Sequence, residues 1–148
     1  MSYHYTESGL DNIILENGYT VHETPYGKGV SIQDTEGLHK AIAQWIVDRP
    51  CRINGAEFRF LRLEMELTQK SLADILGADE QAVRRWEKGR ARDITGPADR
   101  LLRALYTDYA LGDGKLRAMV DRLAELDCID RGQLVLREVD DHWARAAA

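Results

Sequence analysis

The stretch Leu67 to Arg90, LTQKSLADILGADEQAVRRWEKGR, constrains the fold of this chain more than any other segment. Apolar residues recur at helical spacing on both sides of Gly77, which indicates two short amphipathic helices. Thr68 is a favourable N-cap for the first helix, and Asp79 for the second. Glycine at a helix end adopts the left-handed conformation that a sharp turn requires. We therefore predict two steeply crossed helices joined by a tight turn, as in a helix-turn-helix.

Basic side chains crowd into the second of these helices and the residues after it, although the whole chain carries a net charge of −5. Between Ala82 and Arg92, Glu87 is the sole acidic residue against Arg84, Arg85, Lys88, Arg90 and Arg92. Acidic and basic residues balance over 54–93, whereas the segments on either side are acidic. A local basic patch on an acidic protein indicates a polyanionic partner at one face. A solvated charged helix face is the alternative.

The predicted second helix has a polar face with a specific chemistry. If Ala82, Val83 and Trp86 pack inward, the outward side chains are Glu80, Gln81, Arg84, Arg85 and Lys88. Glutamine and arginine can form paired hydrogen bonds with base edges in the major groove of DNA. Lysine and the N-terminal amides of helices suit phosphates. Glu80 either accepts a hydrogen bond from a cytosine amine or complements the helix dipole.

Residues 59–90 resemble a known family. The pattern R-x-L-R-x-E-M-x-L-T-Q-x-x-L-A-x-x-L-G, followed by V-x-R-W-E-K-G-R, is similar to the lambda-repressor-like (Cro/CI, XRE-type) helix-turn-helix regulators. The resemblance implies a mainly α fold with a five-helix DNA-binding domain. Many members have Ser or Thr where this chain has Asp79 and Ala82, so one hydroxyl contact to phosphate is missing. The resemblance implies nine DNA-binding residues: Gln69, Lys70, Glu80, Gln81, Arg84, Arg85, Lys88, Arg90 and Arg92.

A wider resemblance covers most of the chain. YHYTESGLDNIILENGY with EGLHKAIAQWI, then NGAEFRFLRLEMELTQ and GPADRLLRALY, look like the MqsA/YgiT-type antitoxin and regulator group. Members of that group carry an N-terminal module before an XRE-type domain, which implies a protein toxin as a possible partner. The zinc module of its best-known members uses paired cysteines. This sequence has no paired cysteines, and Ser8 stands in the first turn of its N-terminal module. We therefore expect no zinc.

The chain divides into three predicted segments. Residues 1–50 form a small α/β N-terminal module, residues 54–112 the helix-turn-helix domain, and residues 113–148 a further helix and a tail. In the first segment, Asn17-Gly18 predicts a hairpin turn, and residues 26–29 a loop. Thr35 caps a helix to about Asp48 whose inward face is Leu38, Ile42, Trp45 and Ile46. Residues 49–54, RPCRIN, are the candidate linker.

The later segments predict further helices. Asn54 and Glu57 form a capping box for a helix that carries Phe58, Leu61 and Met65. Pro97 opens another helix, whose inward face is Leu101, Leu102, Leu105 and Tyr109. Asp113 caps one more through about Asp127, which brings together Leu116, Met119, Val120 and Leu123. Leu134–Val139 predicts a strand. The helices after Pro97 are our candidates for a dimer interface.

Other functional classes find little support in the sequence. Cys51 and Cys128 lack the spacing of a zinc or disulfide motif, and His4, His22, His39 and His142 match no local ligand pattern. Ser31, Asp34 and His39 have no spacing that specifies a catalytic set. We therefore predict no cofactor, no metal and no enzymatic activity. Without an apolar run of membrane length or a signal sequence, a cytoplasmic protein is expected.

The sequence thus predicts a transcriptional repressor that binds double-stranded DNA as a homodimer on two half-sites. The first alternative is an antitoxin whose N-terminal module binds a toxin while the other domain represses the operon. A short toxin-sized reading frame beside this gene would favour it. The second alternative is a protein-interaction adaptor. Salt-dependent binding to a promoter fragment would count against it.

Overall fold

Helices make up most of the ordered secondary structure in the computed structural model, which describes residues 2–123 and 132–146. The mainly α fold class is therefore confirmed. In the described residues no helix combines the length and apolar character needed to cross a membrane. The helices are α1 (Thr35–Asp48), α2 (Gly55–Glu64), α3 (Gln69–Leu76), α4 (Glu80–Lys88), α5 (Gly96–Leu111) and α6 (Lys115–Leu123), with a 3-10 turn at Ala91–Asp93.

In the part of the chain that the structure describes, the strands form three separate antiparallel pairs. They are β1 (Tyr3–His4) with β2 (Ile14–Leu15), β3 (Tyr19–Thr24) with β4 (Gly27–Ile32), and β5 (Leu136–Val139) with β6 (His142–Arg145). The hairpin predicted at Asn17-Gly18 is wrong, because that segment joins β2 to β3, which belong to different pairs. The loop predicted at 26–29 is also wrong from Gly27 onward, because those residues belong to β4. Thr24 pairs with Gly27 across a Pro25-Tyr26 turn, and the Thr24 hydroxyl donates to the Gly27 carbonyl at 2.6 Å.

Side-chain caps set where most helices begin. Asn54 and Glu57 form the predicted capping box of α2, and the predicted cap at Thr68 is confirmed. Asp113, predicted as the cap of α6, lies one residue before the cap position, and its carboxylate accepts from the Lys115 amide at 3.1 Å. The cap of α1 is Asp34 rather than Thr35, because the Asp34 carboxylate accepts from the Gly37 amide at 3.1 Å.

One hydrophobic core extends through the N-terminal segment and the helices that follow it. Tyr5, Leu10 and Ile46 of the N-terminal segment belong to the same buried cluster as Phe58 and Leu102. Two predicted inward positions are wrong: the side chains of Trp45 and Tyr109 are 45% and 57% exposed. On α1 the predicted Ile42 and Ile46 are buried together with Ala43, and on α5 Tyr106 is buried where Tyr109 was predicted.

The segment predicted as a linker is fastened to α5. Ile53 is fully buried, and its amide donates to the Asp99 carboxylate at 2.8 Å. The Arg103 guanidinium donates to Asp99 at 2.7 Å and to the carbonyls of Val47 and Arg49 at 3.0 and 2.7 Å. Buried backbone groups need such partners because water cannot reach them. These bonds fix the exit of α1 against α5.

A chain of polar side chains joins the N-terminal strands to α2. The Tyr5 hydroxyl lies 2.8 Å from His39 Nε2, and His39 Nδ1 lies 2.9 Å from the Glu64 carboxylate. Burial raises the pKa of Tyr5 above 10.0, with the charges of Glu7 and Glu64 adding to the effect. The Tyr5 hydroxyl can donate to Nε2, and in that arrangement His39 Nδ1 carries the proton that Glu64 accepts.

In the C-terminal segment the structure describes residues 113–123 and 132–146. On α6 the predicted apolar residues Met119 and Leu123 are 43% and 50% exposed. The predicted end of this helix near Asp127, and Cys128, lie outside the described residues. The strand predicted at 134–139 begins two residues later, and it pairs with β6, which was not predicted.

Candidate nucleic-acid interface

The turn between α3 and α4 has the backbone conformation expected from its glycine. Gly77 has a φ of 68°, in the left-handed region. The Gly77 amide donates to the Asp74 carbonyl at 3.3 Å, and the Ala78 amide to the Ala73 carbonyl at 2.9 Å. This pair of bonds is a Schellman motif, which closes a helix and reverses the chain direction. Ala73 is buried, with 1% of its surface exposed.

Helix α4 is held to the core along one side. Asp79 caps it as predicted, with its carboxylate accepting from the Gln81 amide at 2.9 Å. Val83 is fully buried. Trp86 is half-buried and packs edge-on against Phe58, with ring centroids 5.9 Å apart. Ala82, predicted inward, is half-buried. One side of α4 is thereby fixed, and the opposite side faces solvent.

The solvent side of α4 carries the predicted base-contacting residues. Gln81, Arg84 and Arg85 are exposed, and Glu80 is half-exposed. Glu80 and Arg84 form an ion pair one helical turn apart, with 2.8 Å between Oε1 and Nη2. Exposed pairs of this kind contribute little to stability. The pair instead fixes the direction of one guanidinium and offsets its charge, while Arg85 belongs to no ion pair within the described ranges.

Glu87 is turned away from this face. Its carboxylate accepts from Arg62 Nε at 2.6 Å and from Arg62 Nη2 at 3.0 Å, and both side chains are more than 90% buried. Arg62 Nη1 also donates to the Leu67 carbonyl at 2.8 Å. The Glu87 carboxylate therefore points to α2 and the α2–α3 loop and not to the turn after α4. Sequence reasoning missed Arg62, although its place between Leu61 and Met65 lies on the buried arc of α2.

Gln69, predicted to contact a phosphate, takes part in this buried cluster. Its amide nitrogen donates to Glu87 Oε1 at 3.1 Å. A side-chain amide has two N–H donors, so this bond leaves one donor for another partner. The half-buried Gln69 is thus held in place at the start of α3. Its contact with phosphate stays a prediction.

The remaining predicted residues flank α4. Lys70 is exposed on the first turn of α3, and Lys88 on the last turn of α4. Arg90 and Arg92 are exposed on the loop that follows, where the Arg90 amide donates to the Asp93 carboxylate at 2.9 Å. All nine predicted DNA-binding residues thus lie in three places: the start of α3, the outer side of α4 and the loop after α4.

The first residue of α2 packs against the last turn of α4. A Cβ on Gly55 would lie 2.6 and 2.7 Å from the carbonyl oxygens of Glu87 and Gly89, and closer still to that of Trp86. Real Cβ atoms essentially never come this near to backbone oxygens. Only glycine fits here unless α4 shifts away from α2. Sequence reasoning did not single out Gly55, because its neighbours lie more than thirty residues away along the chain.

Replacing Gly55 with alanine is expected to lower the free energy of unfolding by about 1–3 kcal/mol, the usual cost of overpacking. Gly96→Ala is the matched control, since Gly96 is also the first residue of its helix and a Cβ there meets no atom within 4 Å. The control is expected to be neutral or slightly stabilising, because alanine loses less backbone entropy on folding. Urea denaturation measures both. Equal effects of the two substitutions would contradict the close approach of α2 to α4.

Comparisons with models of known protein families, with curated proteins and with solved structures give no match. Among the residues that the structure describes, no group of three or more His, Cys, Asp or Glu side chains could hold a metal ion. The likeness of residues 59–90 to a regulator family therefore stays a prediction. The case for a function depends on the geometry of α3, α4 and the loop after α4.

Proposed function

We propose that the protein is a sequence-specific DNA-binding transcriptional regulator, and that the outer side of α4 enters the major groove. The observation that carries the proposal is the inward position of Glu87, which is paired with Arg62. With that carboxylate neutralised inside the fold, the acidic groups that remain at α4 are Glu80, itself paired with Arg84, and Asp79, whose carboxylate caps the helix. The outer side of α4 is therefore basic, which suits a polyanion.

In this proposal residues 54–112, which comprise α2 to α5 and the 3-10 turn, form a lambda-repressor-like domain in which α3 and α4 are the helix-turn-helix. Support comes from the Schellman turn at Gly77, the cap at Asp79 and the buried Val83. Together these features hold α4 with one side against the core and the other free. A helix held in this way can present several side chains to base edges at once.

The side chains divide into two roles. Those that choose the sequence are Glu80, Gln81, Arg84 and Arg85, because glutamine, arginine and carboxylate groups can distinguish base edges in the major groove. Those that position the domain on the sugar-phosphate backbone are Gln69, Lys70, Lys88, Arg90 and Arg92. Repression would follow from occupancy of the operator.

A homodimer is part of the proposal, since one helix reads too few base pairs for useful specificity. Exposed apolar side chains on α5 and α6 support an interface there: Leu111, Met119 and Leu123 are 73%, 43% and 50% exposed. Apolar groups exposed at a surface favour association, because association removes them from water. A monomer at micromolar concentration in light scattering would contradict this part.

Selection of bound sequences from a random DNA library tests the function. We expect enrichment of one motif made of two inverted half-sites, whose centres are spaced by about 10–10.5 base pairs or a multiple. The same selection with Arg84→Ala/Arg85→Ala is the control, because it removes two candidate base contacts and leaves the capping residues in place. A library that stays random after selection with the wild-type chain would refute sequence-specific binding.

A further inference from the structure

A cavity of about 310 Å³ lies on the α5–α6 side of α3. Met65, Leu67, Ile75 and Leu105 line its interior, and the residues around its mouth include Asp108, Tyr109 and Arg117. Sites for small molecules have volumes of about 300–1,000 Å³, with apolar walls and a few polar groups. The volume and lining of this cavity therefore match those of a small-molecule site.

The apolar interior is made from buried core residues. Met65, Leu67, Ile75 and Leu105 are between 2% and 9% exposed, so the rest of the fold holds these side chains in place. They come from the end of α2, the α2–α3 loop, α3 and α5. An apolar group that enters the cavity gains free energy, because it leaves water and contacts these side chains.

The mouth of the cavity has one carboxylate without a charged partner. The guanidinium of Arg117 is paired with Asp121 at 3.0 Å, and Asp113 lies 3.5 Å from the Lys115 ammonium. Asp108 accepts a bond from the Arg117 backbone amide at 3.2 Å, but it forms no ion pair within residues 2–123 or 132–146. A negative charge with spare acceptor positions thus stands beside an apolar space.

We infer that this cavity binds a small molecule with a flat apolar body and a protonated amine on a short chain. The amine would donate to Asp108, and charge-assisted hydrogen bonds of this kind are among the stronger ones in proteins. The ring of Tyr109, half exposed at the mouth, would contact the ammonium group or the flat body. The thioether of Met65 would pack on an aromatic ring. This site goes beyond DNA binding and does not depend on it.

The test titrates the full, isotope-labelled chain with tryptamine and follows the side-chain methyl signals by NMR. We expect saturable shifts at Met65, Ile75 and Leu105. Indole-3-propionate has a similar body with a carboxylate, and we expect it to bind at least about tenfold more weakly because it loses the bond to Asp108 and is repelled. No shifts at millimolar tryptamine, shifts confined to other residues, or equal binding of the two probes would each overturn the inference.

Two variants test whether Asp108 causes the preference for the positively charged probe. Asp108→Asn is expected to reduce the tenfold preference for tryptamine to less than about threefold, because the neutral amide attracts an ammonium group only weakly. Asp74→Asn is the control: it also removes one negative charge, from an exposed position on α3 that does not line the cavity. The control should keep the full preference. An unchanged preference in Asp108→Asn would overturn the assignment, and the wild-type titration stands by itself if that variant does not fold.

Discussion

Glu87→Ala is expected to lower the free energy of unfolding by about 3–5 kcal/mol, the cost of leaving one partner of a buried ion pair without the other. Arg62 would keep its charge in a site where 9% of its side chain is exposed, and no other carboxylate within the described ranges pairs with it. The Gln69 amide would lose its acceptor at the same time. Urea denaturation at neutral pH, followed by the far-ultraviolet circular dichroism of the helices, measures the loss.

Two controls distinguish the loss of the Arg62–Glu87 ion pair from the general effect of removing a carboxylate. Glu16→Ala removes an exposed carboxylate and should change stability by less than about 0.5 kcal/mol. Arg62→Met/Glu87→Leu replaces the whole pair with apolar side chains of similar size and should be much more stable than Glu87→Ala, because no charge stays buried. A Glu87→Ala variant that loses less than about 1 kcal/mol would show that the pair is not buried as described.

Arg84→Ala and Arg85→Ala are each expected to weaken binding to the selected operator by about 1–3 kcal/mol, the range for a bidentate contact with a base. Arg84→Ala should have the larger effect, because it also leaves the Glu80 carboxylate unpaired beside the DNA. Fluorescence anisotropy with a labelled operator measures both. Lys88→Ala should instead weaken binding to operator and unrelated DNA by equal amounts, because a phosphate contact carries no sequence information.

A double-variant cycle isolates the role of the Glu80–Arg84 pair. Glu80→Gln removes the negative charge but keeps the shape of the side chain. Combined with Arg84→Ala, it should recover part of the lost affinity if repulsion between Glu80 and DNA contributes to the loss. Equal losses on operator and unrelated DNA for Arg84→Ala and Arg85→Ala would move both residues from the base-reading group to the backbone group.

The sequence predicts the local features of the site well, because they depend on residues close together in the chain. The caps at Asn54, Thr68 and Asp79 follow from side chains that reach amides two or three residues ahead. The turn at Gly77 follows from the one residue type that adopts a positive φ freely. The inward side of α4 at Val83 follows from helical periodicity.

Features that depend on distant parts of the chain are not predictable in this way. The direction of Glu87 depends on Arg62, which lies on another helix, and the fit of Gly55 depends on carbonyls of α4. The hairpin prediction at Asn17-Gly18 failed because a turn signal does not specify which strands pair. Segment 49–54 has a composition typical of a linker, yet Asp99 and Arg103 fasten it to α5.

The central claim is that α4 reads DNA sequence, and the dependence of affinity on salt tests it most directly. The measurement compares the selected operator with a scrambled duplex from about 50 to 200 mM salt. We predict that the affinity for both duplexes falls steeply with salt, and that the logarithm of the association constant changes with the logarithm of the salt concentration by about −0.9 per phosphate contact. The protein should bind the operator at least about a thousandfold more tightly than the scrambled duplex throughout. Equal affinity for the two duplexes, or binding that does not change with salt, would contradict the claim.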